Sequence, residues 1–579
     1  MAAPEQILTS LLQPVFDGLA PGADPILRPS SREGFDFQVN GAIAAAKRLR
    51  RSPAEVAAEV AHAEGLEDVC SKVEVTPQGF VNLRLGHHVI VSCLAETARH
   101  PRFGVDPPTE ALKVVVDYSA PNVAKEMHAG HLRTTVIGDC LCRMLVFAGH
   151  NVKRENHVGD WGTQFGMLIE HLVDVGETAA AHELSVGDLD GFYRQARAAF
   201  EASPEMQERS RRRVVALQSG DPETLRLWTI LVEESLSYFD EVYEKLGVQL
   251  TRQDVVGESF YNPMLDEVVA QLDAKGLLVD SNGAKCVFVE GWTTREGTPL
   301  PLIVRKSDGG YGYAATDLAT LWDRFGRLKA DVALYVVGAP QAQHLGMCFD
   351  VALKAGWLPS RERAVHVSFG SVLGPDRKMF KTRAGKTFRL VDLLDEAVDR
   401  ARVAVSSRSE DLEADEREGL ARAIGIGAVK YADLSTDRAR DYVFDLDRMI
   451  SFDGNTGPYL QYARVRCLSI FRRAGLDPAD FSWPDAGVTL GDPAERALAL
   501  ALSGFAGAFA SALDTWSPHK LCAYLYDLAG VFTSFFESCP VIKAPDETTR
   551  SSRLALCAVT SAVLGQGLEL LGIQAPERM

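Results

Sequence analysis

Two histidines stand three positions apart, His128 and His131, with Gly130 between them. They follow a β-branched run, Val114–Val116, that is typical of a buried strand. In parallel α/β sheets, ligands bind beyond the carboxyl ends of strands, where helix N-termini offer free N–H groups to phosphates. Imidazoles can hydrogen-bond phosphate oxygens there, and the glycine lets a flat base approach the backbone. The stretch predicts a nucleotide site, with a helix beginning near Met127.

A second segment with chemical potential is basic and rich in glycine and proline. It covers residues 374–387 and contains Lys378 and Lys381. Because lysines attract phosphates and Gly and Pro break regular structure, this composition predicts a mobile, phosphate-attracting loop.

Polar side chains also follow a later strand-like run. Gln341 and His344 come just after the apolar run Ala333–Val337, so they are expected beyond a strand's carboxyl end. Tyr313 and Asp317 are four positions apart and would share one face of a helix.

The elements that must position these residues change in type along the chain. A small α+β unit comes first, where Phe80 and Asn82 share one strand face and could stack on and hydrogen-bond an unpaired base. Sheet packing with an exposed amide explains that spacing equally well. Strands then alternate with helices, and from Leu390 onward the pattern is almost wholly helical. Strands early and helices late predict separate α/β and all-α domains.

Composition indicates a soluble globular chain of 579 residues with 46% hydrophobic and 24% charged residues. A net charge of −17 argues against indiscriminate nucleic-acid binding but not against a specific RNA partner. The ten cysteines lack zinc-finger spacing, so no metal site or zinc is expected. The first residues lack a signal-peptide pattern, and the longest uncharged run, Ala497–Leu513, is too short to span a bilayer, so a cytoplasmic protein without a membrane partner is expected.

Together the motifs resemble those of class I aminoacyl-tRNA synthetases. His128-Ala129-Gly130-His131 resembles their HIGH signature, and Lys378–Thr382 resembles a KMSKS loop, with Phe380 where the signature has serine. Nucleotidylyltransferases also carry HxGH, but the pair of motifs is specific. Residues 117–125, 157–166, 451–463 and 524–532 are similar to blocks of the bacterial arginyl-tRNA synthetase family, and the resemblance covers nearly the whole chain. The HIGH region comprises Asn122, Val123, Ala124, Lys125, Glu126, Met127, His128, Ala129, Gly130, His131 and Leu132.

The resemblance implies that arginine and ATP form arginyl-adenylate and pyrophosphate, and that the arginyl group then passes to the 3′-terminal adenosine of tRNA. Mg²⁺ would accompany ATP, and bound tRNA would be needed for activation. Catalysis would come from positioning and charge stabilisation. The expected catalytic residues are His128, His131, Lys125, Lys378 and Lys381. The expected ATP-binding residues are His128, Gly130, His131, His344, Met379 and Lys381.

The resemblance also implies a pocket for a guanidinium, a planar fork of five donors that two carboxylates can accept. Asp117, at the end of the first strand, and Asp317 would supply them. The full expected arginine-binding set is Asp117, Ser119, Asn122, Tyr313, Asp317 and Gln341. For tRNA, the expected residues are Phe80 and Asn82 at the D-loop, and Tyr459, Tyr462, Arg464 and Arg466 at the anticodon.

The expected fold is therefore multidomain α/β. A small N-terminal α+β domain (1–108) would bind the tRNA elbow, and a Rossmann-like parallel-sheet catalytic domain (109–390) would carry a helical insertion at about 170–280 and the loop 374–387. A helical anticodon-binding domain of the DALR type (391–579) would complete a monomer that binds L-arginine, ATP and tRNA(Arg). Two alternatives remain open from the residues, an inactive synthetase-like tRNA-binding protein and another class I amino-acid ligase.

Overall fold

A computed structural model describes residues 3–177, 189–374, 376–378, 389–406, 412–478, 481, 483–484 and 487–579. The chain forms two compact units. The first comprises residues 1–106, 452–569 and 575–579, and the second comprises residues 107–451 and 570–574.

The N-terminal part of the first unit is an α+β fold. Its four strands form an antiparallel sheet in the order β1-β2-β4-β3. Phe37, Val39, Val81 and Leu83 are buried, so one face of the sheet is covered by helices. The strands are β1 (Leu27–Pro29), β2 (Phe37–Val39), β3 (Cys70–Val75) and β4 (Val81–Leu85), and the helices are α1 (Pro4–Leu19), α2 (Gly41–Leu49), α3 (Pro53–Val60), α4 (Leu66–Val69) and α5 (His87–Arg99).

The second unit contains a four-stranded parallel sheet in the order β11-β10-β5-β6. The two central strands, β5 and β10, are buried along almost their whole length, which is typical of a parallel sheet covered on both faces. Their apolar runs explain why both form strands here. The sheet strands are β5 (Lys113–Asp117), β6 (Asn151–Glu155), β10 (Val332–Tyr335) and β11 (Ala364–His366).

Helices connect these strands, and several begin at side chains that cap them. Ser203 and Asp221 accept hydrogen bonds from backbone N–H groups of the first turn, and a proline follows each of them. Most of the described residues within the predicted insertion lie in helices. The helices are α6 (Ala129–Ala148), α7 (Gln164–Val175), α8 (Leu189–Ala202), α9 (Pro204–Gln218), α10 (Pro222–Leu246), α11 (Glu258–Tyr261), α12 (Leu265–Ala274), α13 (Tyr313–Gly326) and α14 (Ala342–Lys354).

A smaller antiparallel sheet lies between α12 and α13 in the chain, and a short parallel pair follows β11. In that pair Val372 lies opposite Tyr442, and Leu373 lies opposite Val443. The strands are β7 (Val279–Ser281), β8 (Ala284–Thr293), β9 (Pro299–Arg305), β12 (Val372–Leu373) and β13 (Tyr442–Val443).

The boundary predicted at residue 390 differs from the observed grouping. Helices α15 (Leu390–Ser406), α16 (Ala414–Leu434) and α17 (Leu446–Met449) belong to the unit that contains the parallel sheet. A buried ion pair between Arg133 of α6 and Asp433 of α16, 3.3 Å apart, contributes to this grouping. Helical periodicity continues across residue 390, so the sequence pattern does not reveal where the packing partner changes.

Residues 570–574 also belong to the second unit. Leu571 and Ile573 are buried, and Gly572 has φ of +66°. A Cβ at Gly572 would lie 2.8 Å from the Nζ atom of Lys430, so the backbone approaches this buried lysine closely.

The remaining helices of the first unit are α18 (Gly457–Ala474), α19 (Pro493–Leu502), α20 (Phe505–Asp514), α21 (Pro518–Ser538) and α22 (Glu547–Leu570). Arg496 of α19 joins them to the N-terminal part through an ion pair with Asp36. By length and composition alone the stretch Pro493–Asp514 could cross a membrane, which is weak evidence because buried helices of soluble proteins pass the same test. The structure divides that stretch into two helices.

Candidate active site

The site lies where three parallel strands end side by side. Tyr335 of β10 pairs with Asp117 of β5, which pairs in turn with Glu155 of β6. The chain then leaves β5 through a turn in which Ser119, Ala120 and Ala124 have φ of 74°, 47° and 59°. Non-glycine residues in this left-handed region are strained, and such strain clusters at functional sites.

Ser119 is held within this turn rather than presented to a ligand. Its Oγ lies 2.8 Å from the hydroxyl of Tyr243 and accepts a hydrogen bond from Thr135 at 2.9 Å. The side chain is buried. Its expected contact with arginine therefore has no support in this geometry, and the hydroxyl instead fixes the strained turn.

The two histidines lie at the start of α6, which begins one residue after His128. The backbone N–H of Gly130 donates to Nδ1 of His128 at 3.0 Å, and the N–H of His128 donates to Nδ1 of His131 at 3.1 Å. The two rings are 4.1 Å apart. Because each Nδ1 accepts a hydrogen bond, each neutral ring carries its proton on Nε2, which is left as a donor.

Burial keeps both imidazoles neutral. It lowers the pKa of His128, and it lowers the pKa of His131 to about 3, with the neighbouring His128 adding to the effect. The pair therefore acts as two neutral hydrogen-bond donors rather than as two cations.

A cavity of about 270 Å³ opens beside these rings. Lys125 supplies a cation to it, with Nζ 4.8 Å from the ring centre of Tyr193. The lining of the cavity combines basic, acidic and imidazole groups, a composition suited to a charged ligand. The lining residues are Asn122, Lys125, Glu126, Met127, His128, His131, Asp190 and Arg389.

The described residues at both ends of the predicted basic loop make hydrogen bonds, but only those at its end contact the segment that carries the histidines. At its start, the N–H of Gly374 donates to the carbonyl of Lys378, whose side chain is exposed. At its end, Arg389 pairs with Glu126 at 3.4 Å, and Leu390 N–H donates to the carbonyl of Met127. Met379, Phe380 and Lys381 lie outside the described residues.

Asp317 on α13 faces His344 on α14. Nε2 of His344 lies 2.5 Å from Oδ2 of Asp317 and 3.7 Å from Sγ of Cys348. The bond to Asp317 raises the pKa of His344. His344 was expected to bind ATP, but its observed partner is the carboxylate expected to bind arginine. Tyr313 and Gln341, on the same two segments, are exposed.

Asp117 belongs to a buried ionic triad. Arg324 of α13 donates to Oδ2 of Asp117 and to Oε2 of Glu155, each at 2.8 Å, and its guanidinium lies over the ring of Tyr335. Asp117 is only 6% exposed. One of its oxygens is therefore already engaged by an arginine of the protein itself, beneath the edge where a ligand would lie.

Several residues of the site were not predicted from the sequence. Three of them form ion pairs at the site: Arg324, Glu155 and Arg389. In the sequence, only the seven-residue spacing of Asp317 and Arg324 on one helix could have indicated that Arg324 lies near the site. Burial also raises the pKa of Glu258 to about 7, with His157 lowering it and Asp317 among the groups raising it. Nothing in the local pattern around Glu258 distinguished it from a surface acid.

The residues expected to contact tRNA differ in accessibility. Asn82 is fully buried, and its amide accepts a hydrogen bond from Gln38, while Nδ2 has no partner among the described residues. Phe80 is half-buried. Arg464 donates hydrogen bonds to the carbonyls of Ala575 and Pro576. This arginine therefore binds the backbone near the C-terminal end of the sequence instead of facing solvent.

An aromatic and cationic surface remains on the helical part of the first unit. Arg466 lies between Tyr462 and Phe536, 4.8 and 4.9 Å from the two ring centres, and Tyr462 is exposed. Phe452 meets Tyr462 edge to face. Tyr459 instead packs against Tyr526.

Comparison with known proteins agrees with this architecture. Residues 100–446 match the family of class I (R) tRNA synthetase catalytic domains, residues 460–579 match the DALR anticodon binding domain, and residues 5–85 match the arginyl tRNA synthetase N terminal domain. An arginine–tRNA ligase of Thermobifida fusca is 53% identical over 100% of both chains, and one of Frankia casuarinae is 51% identical over 97% of this chain and 95% of its own.

Solved structures show the same likeness. The arginyl-tRNA synthetase of Plasmodium falciparum superposes with a TM-score of 0.86 at 30% identity over 100% of both chains. The Thermus thermophilus enzyme gives 0.82 at 25% identity, over 99% of this chain and 100% of its own. The parallel sheet, the histidine pair and these matches define a class I aminoacyl-tRNA synthetase. Within that class, the chain belongs to the arginyl-tRNA synthetase family, and the predicted family and fold class are confirmed.

Proposed function

We propose that this enzyme ligates L-arginine to tRNA(Arg) in two steps at the carboxyl edge of its parallel sheet. The observation that carries the proposal is the pair of neutral histidines whose Nε2 atoms are left as donors beside Lys125. In the first step the arginine carboxylate attacks the α-phosphate of ATP and pyrophosphate leaves. In the second the 3′-terminal adenosine hydroxyl of tRNA attacks the activated carbonyl, and AMP leaves.

His128 and His131 donate hydrogen bonds to phosphate oxygens, and Gly130, exposed at the helix start, leaves room for the nucleotide. Lys125 neutralises charge that develops on the phosphates, with Lys378 and Lys381 contributed by the loop. Preorganised donors of this kind stabilise a transition state without reorganising during the reaction. Mg²⁺ enters with ATP, held mainly by phosphates and water.

Arginine selection is assigned to Asp317, with Tyr313 beside it, and to Asn122 and Gln341 for the amino and carboxylate groups. A guanidinium meets a charged acceptor at Asp317, whereas citrulline would leave that carboxylate without a cationic partner. Asp117 contributes through the oxygen that Arg324 does not hold. The exposure of Tyr313, Asn122 and Gln341 supports a pocket that is open to substrate.

Recognition of tRNA is assigned to both ends of the chain. The platform of Tyr462, Arg466 and Phe536 suits unpaired anticodon bases, which bind by stacking on aromatic and guanidinium planes. Phe80 is the proposed stacking residue for the D-loop, and Nδ2 of Asn82, which has no partner among the described residues, is the proposed hydrogen-bond donor. The enzyme is proposed to act as a cytoplasmic monomer and to activate arginine only when tRNA is bound.

The test is pyrophosphate exchange into ATP with each of the twenty amino acids, with and without tRNA(Arg). We expect arginine to be the one amino acid of the twenty that supports exchange, and we expect exchange only when tRNA(Arg) is present. Exchange driven by another amino acid would reassign the substrate. Tight tRNA binding without any exchange would favour the alternative of an inactive tRNA-binding protein.

A further inference from the structure

We propose that Asp317, His344 and Cys348 form a binding site for a borderline-soft divalent cation such as Zn²⁺, and that this cation competes with arginine for Asp317. The competition rests on the proposed arginine-binding role of Asp317. The cation site itself does not, because it follows from the three side chains alone.

The positions of the three residues suit a metal ion. His344 and Cys348 are four apart on α14 and therefore share one helical face, while Asp317 reaches them from α13. Their potential ligand atoms all lie within 4.8 Å of one another. One imidazole nitrogen, one thiol and one carboxylate are the ligand types that Zn²⁺ selects in proteins.

Two of the three distances between ligand atoms can be compared directly with tetrahedral coordination, and the third, between Asp317 and Cys348, is at most 4.8 Å. Metal–ligand bonds of about 2.0–2.3 Å place ligand atoms about 3.3–3.6 Å apart. Nε2 of His344 and Sγ of Cys348 are 3.7 Å apart, close to that range. Nε2 of His344 and Oδ2 of Asp317 are 2.5 Å apart as a hydrogen-bonded pair, so binding requires them to separate by about 1 Å.

The three side chains differ in their exposure to solvent. Cys348 is fully buried, whereas the side chains of His344 and Asp317 are 30% and 25% exposed. A metal ion bound to all three would therefore be reached by solvent on the side of His344 and Asp317. Binding requires the thiol to lose its proton, which passes to solvent.

Competition follows from the shared carboxylate. A metal ion bound to Asp317 would neutralise the charge that a guanidinium requires there, and the added positive charge would repel that cation. We therefore expect Zn²⁺ to raise the KM for arginine in the exchange reaction and to leave the KM for ATP nearly unchanged.

Cobalt is the probe for the site, because a Co²⁺–thiolate bond gives a ligand-to-metal charge-transfer band that carboxylate or imidazole ligands do not. Titration of the full-length, chelator-free protein with CoCl₂ is expected to produce this band, and ZnCl₂ is expected to remove it. Cys348→Ser should abolish the band. The matched control, Cys286→Ser, replaces another buried thiol of the same unit and should retain it.

His344→Gln provides a second variant, and its apparent affinity for Co²⁺ should fall by more than about 100-fold, since the loss of a mere outer partner already costs about 10- to 100-fold. Circular dichroism checks that each variant is folded. A wild-type protein without the band, or a band that survives Cys348→Ser, would overturn the site.

Arginine added to the cobalt-loaded protein separates the two parts of the proposal. A rise in the apparent Kd for Co²⁺ supports competition, and an unchanged Kd refutes it. If the band forms but exchange assays detect no arginine activation, the metal site stands and the proposed enzymatic function fails.

Discussion

His131 carries an imidazole that resists protonation in the folded state, and this has a measurable effect on stability. Its ordinary pKa of 6.5 falls to about 3 on folding, because of burial and the neighbouring His128. Between these values the unfolded chain binds a proton that the folded chain does not. The contribution of neutral His131 to the free energy of unfolding is therefore fully present above about pH 6.5, and it is lost as the pH is lowered towards about 3.

We expect His131→Asn to flatten this dependence by up to about 1.4 kcal/mol per pH unit. The measurement is urea unfolding of wild type and variant at about pH 5 and about pH 6.5. The control replaces the exposed His62 by Asn, which leaves the contribution of His131 in place. Parallel pH profiles for wild type and His131→Asn would refute the lowered pKa.

Asp317→Asn tests the proposed arginine pocket. The change removes the charge that a guanidinium requires but keeps the size of the side chain. We expect kcat/KM for arginine to fall by at least about 100-fold, or about 2.7 kcal/mol, while the Kd for tRNA stays near the wild-type value. Asp280→Asn, which removes an exposed carboxylate elsewhere in the same unit, is the charge-matched control. Unchanged arginine kinetics would remove Asp317 from the pocket.

At the level of single residues, the sequence predicted types and spacing better than roles. The histidine pair was identified from its motif, but the hydrogen bonds that set the two tautomers require atomic positions. Ser119, Asn82 and Arg464 were assigned to ligands, yet their polar atoms engage Tyr243, Gln38 and backbone carbonyls. Local sequence does not show such partners, because they come from distant parts of the chain.

Helix α13 carries the charge that holds the strand ends together. Arg324 is fully buried between Asp117 and Glu155. Arg324→Ala would leave two carboxylates buried without a cation, so we expect a loss of about 3–5 kcal/mol in the free energy of unfolding. Denaturant unfolding measures this loss.

The control is Arg197 of α8, which pairs with Glu201, and both side chains are 62% exposed. Arg197→Ala should leave the free energy of unfolding nearly unchanged, since exposed ion pairs contribute little. Equal free energies of unfolding for the two variants would show that the buried triad contributes no more to stability than an exposed ion pair.

At the level of elements, periodicity predicted strands and helices well where burial is simple. The valines of β5 and the apolar residues of β10 are buried on both faces, and both segments read as strands. The helical pattern beyond residue 390 was also correct in type, but it did not reveal which unit each helix joins. That assignment depends on contacts such as Arg133 with Asp433, which are 300 positions apart.

At the level of the whole molecule, the proposed anticodon-binding residues and the proposed catalytic residues belong to different units, so their mutational effects should separate. Arg466→Ala removes the guanidinium that lies between Tyr462 and Phe536. We expect the KM for tRNA in the charging reaction to rise about 5- to 150-fold, corresponding to about 1–3 kcal/mol per stacked base, with the KM for arginine within about twofold. Steady-state charging assays with each substrate varied measure both constants.

Arg473→Ala is the matched control, because Arg473 is an exposed arginine of the same helix, α18. It should change the KM for tRNA less than about twofold. Equal effects of the two substitutions would indicate general electrostatic attraction and would argue against a stacking platform.

The close approach of Gly572 to Lys430 also has a consequence for biosynthesis. Residues 570–574 complete the unit that contains the parallel sheet, but the ribosome adds them only after residues 452–569. At about 5–20 residues per second, this order delays completion of the unit by on the order of ten seconds after residue 451 is added. During that interval the surface later covered by Leu571 and Ile573 stays open to chaperones. A nascent chain that stalls before Gly572 therefore carries all the proposed catalytic side chains in a unit that is not yet complete.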